Sequence, residues 1–226
     1  MERYLIATTK SWNIEKAKKL KEQSEDRIFI INDKEQLNLE YLNKIQPKYI
    51  FFPHWSWIIP KDVYENYECI VFHMTDLPFG RGGSPLQNLL VRGIYKTKVS
   101  ALRVCKGIDE GDIYLKKPID ISEGSAEEIF TRISSVIFDE MIPEIVSKEI
   151  KPVPQEGDVV TFSRRKPEQS LIPDGLNQRQ LYDYIRMLDG EGYPKAFTMV
   201  GNGRMEYSNA RIINDKLVAY VEYIED

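Results

Sequence analysis

Residues 69–93, "CIVFHMTDLPFGRGGSPLQNLLVRG", join a short apolar run, a histidine, a loop rich in glycine and proline, and a second apolar segment. A short apolar run that is bounded by turn residues predicts a buried strand. Ser84 is predicted to cap a helix, with Pro85 in its first turn and Gly93 just after its end. The stretch therefore predicts a strand–loop–helix unit that places His73 at the carboxyl end of the strand.

The sequence before this unit repeats the same alternation. "RYLIATT", "RIFII" and "KYIFFP" are typical of buried strands, and "IEKAKKLKEQ" and "EQLNLEYLNKI" are typical of amphipathic helices between them. Continuous apolar strands that alternate with helices predict a mainly parallel sheet covered on both faces. The expected fold class is a Rossmann-like α/β core.

In the second half of the chain, the pattern of predicted strands and helices changes twice. "TKVSALRVC" and "GDIYLKKPI" predict two strands joined by a tight loop, and Ser125 and Glu128 predict a capping box at the start of a long helix. The segment "KPVPQEGD" near residue 150 predicts a linker, and three strand-like runs end the chain. We expect a catalytic domain over residues 1–150 and a small β-rich subdomain over residues 151–226.

The composition limits the classes of function. The chain has 226 residues, 42% hydrophobic and 29% charged, with a formal net charge of -4, which is ordinary for a globular protein and does not favour bulk nucleic acid or an anionic membrane. Cys69 and Cys105 lie in apolar runs and predict reduced thiols. With no signal-like segment and no apolar stretch of about 18 residues, we expect a cytoplasmic protein.

Two polar residues are candidates for chemistry. His73 follows a strand at the edge where open α/β sheets bind ligands, and Asp109 lies in the tight loop "GIDEGD", from which it could orient the imidazole. A structural histidine and an ordinary turn aspartate are the alternatives. We expect no metal, because Asp109 and Asp112 supply too few oxygen ligands.

The glycine-rich loop does not fit the common nucleotide motifs. "GRGGSP" lacks the third glycine of a dinucleotide fingerprint, and the chain has no P-loop motif. The backbone N–H groups near Gly82 and Gly83 could meet an anion beside a helix start, or the glycines could simply permit a tight turn.

These residues together resemble a known family. His73, Leu77, Pro78, Arg81, Gly82, Pro85 and Gln87 fill a pattern similar to the core motif of the 10-formyltetrahydrofolate-dependent formyltransferases, and "GIDEGDIY" resembles that family's aspartate loop. The 36 positions between His73 and Asp109 also match the family's spacing. The resemblance covers about residues 1–150, and "RRKPEQS", "LYDYIRML" and "GYPKAFT" extend it more weakly towards the nucleotide-sugar enzymes.

The resemblance implies a reaction and its residues. We expect 10-formyltetrahydrofolate as co-substrate, with His73 stabilising a tetrahedral oxyanion and Asp109 keeping His73 charged and assisting proton transfer. The expected co-substrate contacts are Trp55, Trp57, Ile58, Gly82, Gly83, Lys106, Gly107 and Ile108. The expected acceptor is the amine of a nucleotide-linked amino sugar, contacted by His54, Arg81, Asn88, Arg164 and Arg186.

Several alternatives stay open at this point. They are a methionyl-tRNA formyltransferase, a formyltetrahydrofolate hydrolase and a non-catalytic folate- or nucleotide-sugar-binding protein. The predicted partner is a small molecule, with no nucleic acid and no membrane, and a homodimer is left open.

One position departs from the family pattern. The family has Asn-x-His on this strand, and Val71 stands where the asparagine is expected. Valine cannot donate a hydrogen bond to an oxyanion, and losing one such donor can cost about 3–4 kcal/mol of transition-state stabilisation. His54, Asn88 and the backbone near Gly82 and Gly83 are candidate replacements, or the site is slow or inactive.

Overall fold

The computed structural model describes residues 1–225, and the strands fall into three sheets. The strands are β1 Arg3–Ala7, β2 Arg27–Ile31, β3 Tyr49–Phe52, β4 Cys69–His73, β5 Phe79–Gly82, β6 Lys96–Arg103, β7 Ile113–Asp120, β8 Val160–Phe162, β9 Ala196–Val200, β10 Gly203–Ile213 and β11 Lys216–Glu225. The sheet orders are β2-β1-β3-β4-β6-β7, β11-β10-β9 and β5-β8.

Seven α-helices accompany these strands in the described residues. They are α1 Ser11–Gln23, α2 Leu39–Ile45, α3 Lys61–Asn66, α4 Pro85–Val91, α5 Ala126–Ser135, α6 Ile142–Lys148 and α7 Gln178–Arg186. A π-helical segment, Val136–Met141, joins α5 to α6, so the predicted long helix is interrupted by a wider turn. Within residues 1–225, no helix combines the length and the apolar character needed to cross a bilayer.

Contacts divide the chain into two compact units. The first contains Met1–Arg81, Lys98–Pro118 and Thr131–Val160, and the second contains Gly82–Thr97, Ile119–Phe130 and the chain from Thr161 onward. Each unit is built from separate segments of the chain. The boundary expected near residue 150 stays a prediction.

The first unit is built on the six-stranded sheet. Strands β1 to β4 pair in parallel, and β6 pairs antiparallel to β4 with His73 opposite Ser100. Alternate residues of β1 face opposite ways: Leu5 packs in a core with residues of α2 and α3, and Tyr4 lies with residues of α1 and α6. Helices on both faces of a mainly parallel sheet confirm the Rossmann-like fold class.

The second unit contains α4, α7 and the antiparallel sheet of β9, β10 and β11. The three C-terminal strands predicted from the sequence are confirmed, and so is the capping box: Ser125 N–H donates to Glu128 at 2.6 Å and Glu128 N–H donates to the Ser125 hydroxyl at 3.2 Å. Ser84 occupies the predicted N-cap position of α4, but its side chain makes no capping hydrogen bond. Ser84 has a left-handed backbone, and its hydroxyl accepts a hydrogen bond from Arg165 N–H instead.

Candidate active site

The structure brings His73 and Asp109 together. His73 Nδ1 lies 3.5 Å from Asp109 Oδ2, and His73 Nε2 lies 2.7 Å from the carbonyl oxygen of Gly80. A carbonyl can only accept a hydrogen bond, so Nε2 carries a proton and the Nδ1 edge faces Asp109. His73 is only 8% exposed, which holds the imidazole in one orientation.

Asp109 reaches the histidine from the loop between β6 and β7. Arg103 at the end of β6 pairs with Ile70, so this loop leaves the sheet near the start of β4 and returns towards His73. Gly111 allows the return, because a Cβ there would lie 1.7 Å from the Arg103 carbonyl oxygen. Asp109 itself has φ +55°, a left-handed conformation that side chains with a Cβ seldom adopt.

A cleft of about 480 Å³ adjoins this pair within the first unit. Val71 and its register partner Leu102 form part of its lining, and Asp109 lies on its wall. Six of the eight predicted co-substrate residues line the same cleft, namely Trp55, Trp57, Ile58, Lys106, Gly107 and Ile108. This volume falls in the range of small-molecule sites.

The tryptophans form one wall of the cleft. The Trp55 and Trp57 rings lie 4.8 Å apart at 73°, and Trp57 is 39% exposed while Ile58 is 93% exposed. The Trp55 indole N–H is buried and has no hydrogen-bond partner in the described part of the chain. Exposed aromatic and aliphatic surface of this kind suits the face of a flat ring.

Val71 is part of an apolar cluster. It is half-buried and packs against Leu77, Leu102 and Ile113. The side chain therefore contributes apolar surface to the cleft where the family pattern has an amide.

Of the four predicted replacements for that amide, the structure argues against three. The Gly83 N–H donates to the Phe162 carbonyl at 3.1 Å. The Asn88 amide donates to the carbonyls of Gly83, Ser84 and Ser163. His54 is outside the lining of the cleft, and its ring makes an edge contact with Trp12. These three expectations fail for related reasons: the Gly83 N–H and the Asn88 amide already donate to carbonyls of the fold, and the His54 ring packs against Trp12 outside the cleft.

The two loop glycines have a packing role. A Cβ on Gly82, which has φ +103°, would lie 2.4 Å from the Phe162 carbonyl oxygen, and one on Gly83 would lie 2.6 Å from Arg164 Cβ. The glycines therefore permit close approach of the 162–164 segment, as the tight-turn alternative supposed.

Besides Asn88, two of the predicted acceptor contacts are engaged elsewhere, and one is exposed. Arg186 is fully buried and bonds to Asp183 and to the carbonyls of Gly124 and Ile121, so the expectation that it contacts the acceptor is wrong. Arg81 donates from Nε and Nη2 to Gln155, at 3.2 and 2.9 Å. Arg164 is exposed.

The two cysteines are both free thiols. Burial raises the pKa of Cys69, which suits a structural residue. Cys105 lies beyond the end of β6, in the loop that lines the cleft, and not in the strand predicted for it.

Comparison with known proteins gives two family matches. The family described as "Formyl transferase" matches residues 13–144, and "Methionyl-tRNA formyltransferase, C-terminal domain" matches residues 167–224. The chain is 28% identical over 172 residues to a methionyl-tRNA formyltransferase of Bacillus cytotoxicus, covering 73% of this chain and 54% of that protein. The chain thus spans about half the length of the curated relatives it matches.

Two solved structures bear on the identity of the formyl acceptor. "Methionyl-tRNA formyltransferase from Clostridium thermocellum" is 55% identical, with a TM-score of 0.97 and full coverage of both chains. A 4-N formyltransferase from Francisella tularensis is 13% identical, with a TM-score of 0.68 over 100% of this chain and 98% of that one, and shares the fold alone. These findings overturn the predicted amino-sugar acceptor, and with it the predicted nucleotide-sugar partner and the exclusion of nucleic acid.

The match over residues 13–144 covers more than half of the sequence, and it contains both His73 and Asp109. The chain belongs to the formyl transferase family.

Proposed function

We propose that this protein transfers the formyl group of 10-formyltetrahydrofolate to the amino group of methionyl-tRNA. The observation that carries the proposal is the His73–Asp109 pair beside the cleft, in a chain that matches both the formyl transferase family and the methionyl-tRNA formyltransferase C-terminal domain. The co-substrate is the one expected from the sequence, and the family membership supports it.

The chain's own residues suit the chemistry. His73 is proposed to donate from its Nδ1 edge to the formyl oxygen as negative charge develops there. Asp109 is proposed to orient His73 and to receive the proton that the attacking amine loses. The new bond joins the amine nitrogen to the formyl carbon, the bond from that carbon to the folate nitrogen breaks, and the proton passes to the departing folate.

The cleft is the proposed site of the folate. The Trp55 and Trp57 rings supply apolar walls. Binding of a folate analogue should quench tryptophan fluorescence. Replacing both Trp55 and Trp57 by Phe should remove most of the quenching and Trp12→Phe should retain it, after correction for absorbance.

The direct test is product formation. The protein is incubated with 10-formyltetrahydrofolate and aminoacylated methionine tRNA, and the aminoacyl group is analysed for the mass of one added formyl group. His73→Ala and Asp109→Asn should each lower the rate by about 100-fold or more while the protein stays folded. Normal turnover in a folded His73→Ala protein would contradict the proposed role.

Two controls separate the remaining alternatives. Release of tetrahydrofolate without any amine would identify a hydrolase. Folate binding with no transfer to aminoacyl-tRNA, and no release without it, would identify a binding protein.

A further inference from the structure

The segment that follows α6 makes a set of contacts that the proposed reaction does not yet use. Val153 forms two backbone hydrogen bonds with Ile113, at 2.7 and 2.9 Å, which fix this segment beside the start of β7. Gln155 follows two residues later and is half-buried. The linker-like sequence "KPVPQEGD" is therefore ordered against the loop that carries Asp109.

Both polar atoms of the Gln155 side chain form hydrogen bonds with the two loops beside His73. Its Nε2 donates to the carbonyl oxygens of Asp109 and Gly111, both at 2.8 Å. Its Oε1 accepts from Nε and Nη2 of Arg81, and Arg81 Nη1 lies 3.8 Å from Glu110. One amide thus joins the glycine-rich loop to the aspartate loop.

The backbone at Asp109 needs such support. A φ of +55° is costly for a residue with a Cβ and persists only where the surroundings hold it. The two carbonyls that Gln155 binds lie at Asp109 itself and two residues after it. A shift of this backbone would move the Asp109 carboxylate away from His73, since only 3.5 Å separates their polar atoms.

We propose that Gln155 is a positioning residue for Asp109: it holds the left-handed turn at which the carboxylate meets His73, and it sets that turn against Arg81. The expected effect of Gln155 on the rate of formyl transfer rests on the proposed function. The geometric part, in which Gln155 holds Asp109 against His73, can be measured without any reaction.

The kinetic test uses two variants and a matched control. Gln155→Met keeps the length of the side chain and removes every hydrogen bond, and Gln155→Glu keeps the acceptor for Arg81 but cannot donate to the two carbonyls. Both should lower kcat by roughly 10- to 100-fold with little change in KM, because a misplaced catalytic group is costly. Glu156→Ala, an exposed neighbour, should leave kcat unchanged.

The Asp109→Asn background separates positioning from a general structural role. If Gln155 acts through Asp109, Gln155→Met should cause no further loss of kcat in that background. An equal loss in both backgrounds, or a wild-type kcat in Gln155→Met, would overturn the proposal.

Nitrogen NMR of the histidine rings gives a readout that does not depend on turnover. The chain has two histidines, so a His54→Gln variant assigns the His73 signals. Gln155→Met should move the His73 Nδ1 shift in the direction that Asp109→Asn moves it, while Glu156→Ala should not. A wild-type spectrum for Gln155→Met would overturn the proposal, even if the protein proved not to be a formyltransferase. If the wild-type protein is inactive but Gln155→Met still moves the His73 Nδ1 shift as expected, only the proposed formyl transfer is overturned.

Discussion

At the scale of single residues, the protein departs from its family at Val71, and the structure gives the departure a packing context. The valine packs against Leu77, Leu102 and Ile113. An asparagine there would carry its amide into an apolar cluster. We therefore expect Val71→Asn to lower the free energy of unfolding by about 1–3 kcal/mol.

Denaturant unfolding of Val71→Asn and Val71→Ala tests this expectation. The alanine control removes packing without adding an amide, so the asparagine variant should be the less stable of the two. An asparagine variant as stable as the wild type, and at least ten times faster in formyl transfer, would mean that the amide finds partners after all.

The lowered pKa of His54 should make the stability of the folded protein depend on pH. Burial, with a smaller contribution from Lys10, lowers the pKa of His54 from 6.5 to about 4. The unfolded chain therefore binds one more proton than the folded chain between these pH values, and stability falls as the pH drops from 6.5 towards 4. The expected loss from this group is on the order of 1–3 kcal/mol.

The measurement is a series of melting temperatures across that pH range for the wild type and His54→Gln. The variant should lose less stability on acidification, because glutamine does not titrate. Parallel curves for the two proteins would show that His54 is not the group responsible.

At the scale of elements, α7 is held in the second unit by Arg186, a buried arginine that pairs with Asp183 of the same helix and bonds to the segment before α5. Arg186 Nε lies 2.7 Å from Asp183, and the guanidinium also bonds to the carbonyls of Gly124 and Ile121. Asp183 also pairs with Arg179 at 3.1 Å, so its charge stays compensated without Arg186, but the carbonyls of Gly124 and Ile121 lose this donor. Arg186→Ala should therefore cost about 2–4 kcal/mol.

Thermal and denaturant unfolding of Arg186→Ala check this value, with the exposed Arg164→Ala as control. The control should stay within about 0.5 kcal/mol of the wild type, as is usual for surface positions. A stable Arg186→Ala protein with a selective loss of ligand binding would restore the contact role that the structure argues against.

At the scale of the whole molecule, an acceptor of the size and charge of tRNA should make the reaction depend on salt. Each phosphate contact that releases counterions contributes a slope of roughly −0.7 to −0.9 in a plot of log affinity against log salt. The net charge of -4 does not prevent this, because it says nothing of local basic segments such as residues 163–166.

We expect kcat/KM for methionyl-tRNA to fall steeply between 50 and 200 mM salt, and Arg164→Ala to reduce the slope by about one. Lys34→Ala, which removes an exposed lysine that pairs with Glu35, should leave the slope unchanged. A rate that does not respond to salt would count against an RNA acceptor.

The sequence by itself determined the α/β fold class, the three C-terminal strands and the capping box of α5, while the pairing of His73 with Asp109 was expected from the resemblance of two motifs to a family. The first three features depend on local patterns: apolar runs of strand length and a four-residue cap. Six of the eight residues expected around the co-substrate line one cleft for the same reason, since they come from two short continuous segments.

Only the tertiary structure decided which polar groups are free to meet a ligand. Arg186, Asn88 and Arg81 look alike in a sequence, and each is occupied by partners from distant parts of the chain. Gln155 stood in an apparent linker, and its role depends on contacts 44 to 74 residues away. Hydrogen bonds over such separations are set by the packing of whole elements, and no local pattern of residues encodes them.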